Sequence, residues 1–173
     1  MESVAGAMPR SAPTLAAAAE AHLDDVFAYL LYLTGDRSLA EDLTGETFER
    51  ALRRWRRFDP RRGTAKTWLC QLARSTALDH FRSERRRRRR EEAAGSGPEA
   101  TEPVFGEGLS MELEAALRRL TAGEREAIAL RVLLDLDDAE AGRLLGISKT
   151  ACSTRLSRAL AKLEALIGGE VRV

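Results

Sequence analysis

The chain has 173 residues, of which 44% are hydrophobic and 32% charged, and its formal net charge is +1. This composition excludes a disordered chain and fits one medium globular domain or two small ones. No apolar run approaches the roughly 20 residues of a membrane-spanning helix, and no secretory signal is recognisable, so we expect a cytoplasmic protein without direct membrane insertion. Two well-separated cysteines and two histidines offer no metal-ligand spacing, so neither a metal site nor a cofactor is predicted.

Helical spacing of apolar residues dominates and strand-like alternation is weak, so the sequence predicts an all-α fold. After an N-terminal extension, residues 1–18, a first helix runs to Gly35-Asp36. A second helix is expected to begin near Ser38, with Ser38 as its N-cap and Glu41 completing a capping box. Phe58-Asp59-Pro60 ends this helix. Gly63-Thr64 then leads into a third helix, which has one apolar arc and an opposite polar arc.

Positive charge is concentrated around this third helix. Residues 50–90 contain 16 Lys and Arg against 3 Asp and Glu, and the block ends in six consecutive arginines, Arg85 to Arg90. A basic block of this kind is typical of a surface that binds a phosphate backbone, while a solvated helix face is the alternative that charge alone leaves open.

Residues 91–108 are rich in glycine, proline and acid, contain no basic residue and show no periodicity. They are predicted to form a flexible acidic linker between two small helical domains, residues 19–90 and residues 109–168. Residues 169–173 are predicted to be a short C-terminal tail.

The second domain has the pattern of a helix-turn-helix. A capping box, Thr121 to Glu124, opens a helix that carries Ile128, Ala129, Val132 and Leu133. Asp137 or Asp138 caps a short helix, Gly146 suits the turn, and Ser148 caps the last helix. In that last helix the inward arc is predicted to hold Cys152, Leu156, Ala159, Leu160 and Leu163. The opposite face, with short hydroxyls and arginines, is typical of a recognition helix, although a small amphipathic bundle would show the same period.

Three segments, taken together and in order, resemble the extracytoplasmic-function sigma factors, the small two-domain class of bacterial RNA polymerase sigma factors. "LTGDRSLAEDLTGETFERALRRWRRF" is similar to the family's polymerase-binding helix. "TAKTWLCQLARSTALDHFRSERRR" is similar to its promoter-melting, −10-reading helix, and "LLGISKTACSTRLSRALAKL" is similar to its −35-reading helix-turn-helix.

The resemblance implies a role for each half of the chain. Domain 19–90 would correspond to sigma region 2, which binds core RNA polymerase and melts the −10 element, and domain 109–168 to region 4, which reads −35 duplex DNA. The polymerase-binding positions would be Asp42, Leu43, Glu46, Thr47, Glu49 and Arg50. The −10 positions would be Arg56, Arg57, Phe58, Asp59, Arg61, Arg62, Lys66, Gln71, Arg74, Ser75, Asp79 and Arg82. The −35 positions would be Lys149, Thr150, Ala151, Ser153, Thr154, Arg155 and Arg158.

The implied partners are core RNA polymerase, promoter DNA and an anti-sigma factor, with no small-molecule substrate and no catalytic residue. The chain departs from the family pattern at Gly45, where glutamine is usual, at Ser75, where asparagine is usual, and at Ser153, where lysine is usual.

Three other classes of protein account for the sequence less completely. A stand-alone helix-turn-helix regulator would leave the basic first domain without a role. An adaptor would not need a basic stretch interleaved with aromatic residues. An enzyme would need a catalytic motif, and the sequence contains no metal-protease, nucleophile-elbow or phosphate-loop pattern.

Overall fold

The computed structural model describes residues 13–93 and 110–168, and all regular structure within these two ranges is helical, which confirms the all-α prediction. The helices are α1 (Leu15–Thr34), α2 (Arg37–Arg54), α3 (Ala65–Ala93), α4 (Met111–Arg118), α5 (Ala122–Ile128), α6 (Asp138–Leu145) and α7 (Lys149–Gly168). A 3₁₀ turn (Trp55–Arg57) follows α2, and a π-helical turn (Ala129–Leu133) follows α5. None of the helices in these ranges is long and apolar enough to span a membrane.

Helix boundaries in the first half follow local capping chemistry. The α1 helix ends at Gly35, whose φ of 64° lies in the left-handed region that glycine adopts at little cost. The Asp36 side chain accepts the Leu39 backbone N–H at 3.0 Å, so Asp36 is the N-cap of α2 and helix begins at Arg37. The predicted cap at Ser38 was therefore wrong. Asp36 lies two residues earlier and is an equally good cap residue, so it sets the start.

The three long helices α1, α2 and α3 pack around one core. Val26, Tyr29, Leu30, Leu69 and Cys70 are fully buried there, and small residues at the crossings, such as Ala40, Ala51, Ala73 and Ala77, have no exposed surface. Beyond the C-terminal end of α2, the rings of Trp55, Phe58 and Trp68 form a cluster with centroid separations of 4.9 to 5.7 Å. This cluster supports the loop that joins α2 to α3.

The arginine run is helical throughout. With 29 residues, α3 is about 44 Å long, and it continues to Ala93, three residues into the segment predicted as linker. Arg87 contacts Glu84 at 3.0 Å and Glu91 at 3.7 Å, and pairs at these spacings stabilise a helix end. The rest of the predicted linker, most of the N-terminal extension and the C-terminal tail lie outside the described residues.

The second half is a four-helix unit, α4 to α7. The predicted capping box is confirmed, since Thr121 and Glu124 bond reciprocally at the start of α5. The apolar pattern after α5 was predicted wrongly. Val132 and Leu133 are 59% and 45% exposed, whereas Leu130, Leu134 and Leu136 are buried. The π-helical turn adds a residue to the turn and rotates Val132 and Leu133 out of the face predicted from a period of 3.6.

The helix-turn-helix is formed by α6 and α7. Asp137, not Asp138, caps α6 and makes a second capping box with Glu140. The chain then turns at Gly146, with φ 69°, and Ser148 accepts the Ala151 N–H at 3.1 Å. Along α7, Cys152, Ala159 and Leu163 are buried as predicted and Leu156 is partly buried, but Leu160 is 43% exposed. The inward arc of α7 is therefore narrower than the sequence indicated.

The two halves of the chain share a core. Leu130, Leu134, Leu136, Leu144 and Cys152 of the second half belong to the same buried cluster as the α1 to α3 core. The contact between domains is therefore apolar at its centre, with polar groups around it.

Candidate polymerase and nucleic-acid interfaces

The polymerase-binding segment predicted on α2 divides into two faces. Asp42, Glu46 and Glu49 are exposed, and Arg50 is partly buried beside them. Arg50 donates to Glu46 Oε1 at 2.6 Å and to Asp79 Oδ2 at 3.1 Å, which ties α2 to α3 and raises the pKa of the guanidinium, mainly through the hydrogen bond to Asp79. This exposed surface is acidic and ordered.

Leu43 and Thr47 are corrections to that prediction. Both are buried, with 3% and 0% of their surface exposed, and the Thr47 hydroxyl donates to the Leu43 carbonyl at 2.7 Å. In this structure neither side chain offers more than a trace of surface to a partner. These two residues lie on the buried side of α2, opposite its exposed acidic face.

The loop between α2 and α3 borders a cavity of about 320 Å³. Five of the predicted −10 residues line this cavity together with Thr64, Thr67, Trp68 and other residues: Arg57, Phe58, Asp59, Arg62 and Gln71. Asp59 accepts from the backbone N and Nε of Arg61, both at 3.0 Å, and the Arg61 side-chain bond is the main reason that the pKa of Asp59 is lowered. Arg56, Arg57, Arg61 and Arg62 are all exposed. The site thus combines aromatic rings, a carboxylate held by Arg61 and exposed positive charge at the rim.

The polar face of α3 continues from this cavity. Gln71, Arg74, Ser75, Asp79 and Arg82 line a second cavity of about 260 Å³ beside Leu78 and Leu144, which confirms that they share one face of the helix. Lys66 is not part of this face. Its ammonium lies 3.2 Å from Asp25 Oδ2, and its side chain is 23% exposed, so Lys66 bridges α3 to α1.

Arg74 is already engaged. Its Nε donates to Glu126 Oε1 at 2.6 Å and its Nη2 to Glu126 Oε2 at 3.2 Å, a bidentate pair that raises the pKa of the guanidinium. Glu126 lies on α5, in the second domain. In the structure a predicted DNA contact is therefore occupied by a carboxylate of the same chain.

The outer face of α7 is exposed over its first three turns. Lys149, Thr150, Ala151, Ser153, Thr154 and Arg158 are all exposed, while Arg155 is partly buried. The Arg155 guanidinium lies over Gly123, where an added Cβ would meet Nη1 at 3.1 Å. Arg155 therefore packs against the start of α5 as well as bordering the exposed face. Ser148 and the turn at Gly146 present the early residues of α7 outward, as a recognition helix requires.

Comparison with known proteins matches both halves. Residues 18–87 match the family model for Sigma-70 region 2, and residues 110–163 match that for Sigma-70, region 4. The ECF RNA polymerase sigma factor BldN of Streptomyces coelicolor is 34% identical over 99% of this chain and 67% of that protein. The ECF RNA polymerase sigma factor SigM of Bacillus subtilis is 31% identical over 84% of this chain and 90% of that protein.

The chain belongs to the extracytoplasmic-function sigma factors. Two solved structures share its fold. The sigma factor RpoE of Bartonella quintana, in complex with the anti-sigma factor NepR, has a TM-score of 0.71 at 24% identity and covers 87% of this chain and 94% of its own. CnrH, in complex with the cytosolic domain of CnrY, has a TM-score of 0.65 at 25% identity and covers 90% of this chain and 88% of its own.

The family membership decides between the alternatives that the sequence alone leaves open. A stand-alone helix-turn-helix regulator would account only for the second match, whereas this sigma factor matches in both halves. Sigma factors are DNA-binding regulatory proteins of transcription initiation. The functional interpretation of the site therefore concerns recognition rather than bond chemistry.

Sequence reasoning missed the residues of the sigma factor's second domain that meet the polar face of α3 and the loop before it. Glu126 contacts Tyr29 and Arg74, Glu140 contacts Thr67, and Arg143 and Leu144 line the cavity at the loop. Glu126 and Arg74 are separated by 52 positions, so no local pattern indicates their contact. Glu140 and Thr67 are separated by 73 positions, so their contact is not indicated by the sequence either.

Proposed function

We propose that this chain binds core RNA polymerase through the acidic face of α2, melts the −10 element with the α2–α3 loop and α3, and reads −35 duplex DNA with α7. The observation that carries the proposal is the cavity of about 320 Å³ at the loop, with Phe58 and Trp68 in its wall and arginines at its rim. An unstacked base gains free energy by stacking on an aromatic ring, and arginines attract its phosphates. Capture of such a base offsets the few kcal/mol or so needed to unpair it.

The charges of the exposed residues indicate which surface suits which partner. Asp42, Glu46 and Glu49 give α2 an exposed acidic surface suited to a basic protein partner, whereas the loop carries four exposed arginines suited to DNA. On α7 the exposed hydroxyls of Thr150, Ser153 and Thr154 lie at positions where a recognition helix meets base edges, and Arg158 lies farther along, where phosphates pass. No bond is made or broken in these steps, so no catalytic residue or cofactor takes part.

An anti-sigma factor is the third partner that we propose. The RpoE structure was solved with NepR and the CnrH structure with the cytosolic domain of CnrY, and both superimpose on most of this chain. Polymerase, promoter and such a regulator all meet in the cytoplasm, which we propose as the site of action.

The test reconstitutes transcription. The purified chain is added to core polymerase with a genomic DNA library, and transcript starts are mapped. Starts that share two upstream elements support the proposal. A footprint on duplex DNA without polymerase, together with no stimulation of transcription by active core, would instead support a stand-alone regulator.

Arg62→Ala tests the loop. The Arg62 side chain is 89% exposed, so we expect its removal to leave the fold intact and to weaken opening of the −10 region, as measured by permanganate footprinting. Arg86→Ala removes the same charge from an exposed position on the arginine run and is the matched control. Equal losses in the two variants would show that the loop contributes only general charge.

A further inference from the structure

A groove of about 860 Å³ lies within the first domain, between the turn that joins α1 to α2 and the C-terminal half of α3. One wall is the turn, residues 33–39, and the other is α3 between His80 and Glu92, which corresponds to about 18 Å of helix. The groove shares no residue with the cavity at the α2–α3 loop or with the cavity along the polar face of α3. It is therefore separate from the surface that we assign to the −10 element.

Part of the groove is apolar. Leu33 and Leu39 come from the turn and pack against the core, and Phe81 faces them from α3. The Phe81 side chain is 38% exposed, and its ring meets the ring of His80 edge to face at a centroid separation of 5.9 Å. We call these three residues, Leu33, Leu39 and Phe81, the apolar patch of the groove. An apolar patch rimmed by polar residues is typical of a protein contact surface.

The α3 wall adds three positive charges, Arg85, Arg88 and Arg89, which we call the groove arginines. Among the described residues, Arg87 is the one member of the arginine run that forms an ion pair with a described carboxylate, with Glu84 at 3.0 Å and Glu91 at 3.7 Å. Because Arg87 takes these two acids, the groove arginines keep their charge available to a partner.

The acidic residues of the groove narrow the choice of partner. Asp36, Glu84 and Glu92 line it as well, and Asp36 caps α2 through the Leu39 N–H at 3.0 Å. A phosphate backbone carries negative charge along its whole length, so these carboxylates would repel it, and it has nothing to place on the apolar patch. An amphipathic helix can set apolar side chains on the patch and acidic side chains against the arginines alone.

We propose that this groove is a docking site for an amphipathic helix of a protein partner, with an apolar stripe along its centre and acidic residues along the edge that faces the groove arginines. The length of the α3 wall matches about three turns of such a helix, and apolar residues at i, i+3 or i+4, and i+7 would reach the patch. The site uses a part of the first domain that neither the polymerase-binding face of α2 nor the −10 face of α3 includes.

The two kinds of contact have different roles. Side chains that cover the apolar patch remove water from it, and their contribution to affinity does not depend on salt. Ion pairs at the groove arginines speed association and set the direction of the helix, and salt weakens them. An exposed ion pair of this kind changes affinity by a factor of roughly three to five, so two of them together are worth about tenfold.

The first experiment measures peptide binding to the full chain by fluorescence anisotropy. The probe is a labelled helical peptide of about 14 residues with a leucine stripe and glutamates along one edge, and a permuted peptide of the same composition is its control. Arg85→Gln combined with Arg88→Gln removes two charges from the groove. Arg86→Gln combined with Arg90→Gln removes two charges from exposed positions of the same helix that do not line it.

We expect the groove variant to bind the striped peptide about tenfold more weakly than wild type, and the control variant to lose less than about twofold. The permuted peptide should bind wild type about tenfold more weakly than the striped one. Equal losses in the two double variants, or equal binding of the two peptides, would show attraction by general charge and would overturn the proposal.

A second experiment tests the apolar patch. Phe81→Ala should weaken the striped peptide about tenfold, whereas Leu52→Ala, which truncates a 70% exposed leucine outside the groove, should leave its binding unchanged. Circular dichroism shows whether each variant keeps its helical content, and no loss of affinity in a folded Phe81→Ala chain would overturn the proposal. Amide NMR shifts of the wild-type chain locate the bound peptide, and we expect them at Gly35, Ser38 and Phe81.

The other possible occupants are tested in the same assay. A synthetic peptide with the sequence of residues 94–109 of this chain is compared with the striped peptide, and a duplex oligonucleotide is added as a competitor. If the peptide from this chain binds more tightly and shifts the same amides, the occupant is a segment of the chain itself and the proposal is wrong. If the duplex displaces the striped peptide and shifts those amides, the groove binds nucleic acid, which also overturns it.

Discussion

Gly142→Ala tests whether the turn of the helix-turn-helix is as tightly packed as the structure shows. A Cβ at Gly142 would lie 2.9 Å from the Ile147 carbonyl oxygen and 3.4 Å from Lys149 N, both of them backbone atoms. These backbone atoms can make room for the added Cβ only if the start of α7 moves. Overpacking of this kind costs about 1–3 kcal/mol.

The matched variant is Gly45→Ala, which lies within α2 and has no atom within 4 Å of the added Cβ. Both substitutions gain about 1 kcal/mol of helix propensity, so the difference between them isolates the clash. We expect Gly45→Ala to stabilise the chain and Gly142→Ala to be less stable than Gly45→Ala by about 2 kcal/mol. For a chain of this size that difference corresponds to about 4–8 °C in Tm.

The assay is thermal and urea unfolding of the free chain followed by far-ultraviolet circular dichroism. A second readout is the affinity for −35 duplex DNA, which we expect to fall for Gly142→Ala because α7 is displaced. Equal stability of the two alanine variants would refute the packing argument.

Three further predictions address the interfaces and the core. Arg158→Ala should weaken binding of −35 duplex DNA and reduce the steepness of its salt dependence by about one counterion, while polymerase affinity stays unchanged. The measurement is a gel shift at several salt concentrations, and an unchanged salt slope would show that Arg158 does not contact a phosphate. Asp42→Lys reverses an exposed charge on α2 and should slow association with core polymerase, while the free energy of unfolding changes by less than about 0.5 kcal/mol. Unaltered association kinetics would show that this face of α2 does not bind the polymerase. Burial raises the pKa of the Cys70 thiol from 9.0 to about 12. Because the unfolded chain releases this proton first, the stability that the neutral thiol contributes is complete below pH 9 and is lost as pH rises towards 12, with a slope of about 1.4 kcal/mol per pH unit. Cys70→Ala should make the free energy of unfolding decrease less steeply with pH between pH 9 and about 12. If the slope is the same in the variant and the wild type, burial does not raise the pKa of this thiol.

Local chemistry in the sequence predicted much of the fold. The caps at Thr121 and Ser148 and the turns at Gly35 and Gly146 depend on residues within four positions, and the structure has all four. The start of α2 was missed because two good cap residues, Asp36 and Ser38, compete within three positions. The π-helical turn at Ala129–Leu133 was missed because a single widened turn leaves the composition unchanged while it rotates every later side chain.

For the candidate site, the sequence predicted which side chains share a helix face but not which side chains contact one another. Helical spacing placed Gln71, Arg74 and Ser75 on one side of α3, and the structure agrees. The same spacing did not separate Leu43 and Thr47 from their exposed neighbours, because the burial of a flank depends on which helix packs there. The pairing of Arg74 with Glu126 depends on how the two domains meet, and nothing within either domain's sequence determines it.

The helical state of the arginine run has a geometric consequence. Six consecutive helical residues turn through about one and two-thirds turns, so Arg85 to Arg90 point in every direction around the axis of α3. The last part of the helix thus carries positive charge around much of its circumference, although Arg87 is paired with Glu84 and Glu91, and Arg85, Arg88 and Arg89 border a cavity shared with residues 33–39. Such a segment attracts a polyanion over a wide range of approach angles, so we expect it to contribute general electrostatic attraction and little orientation.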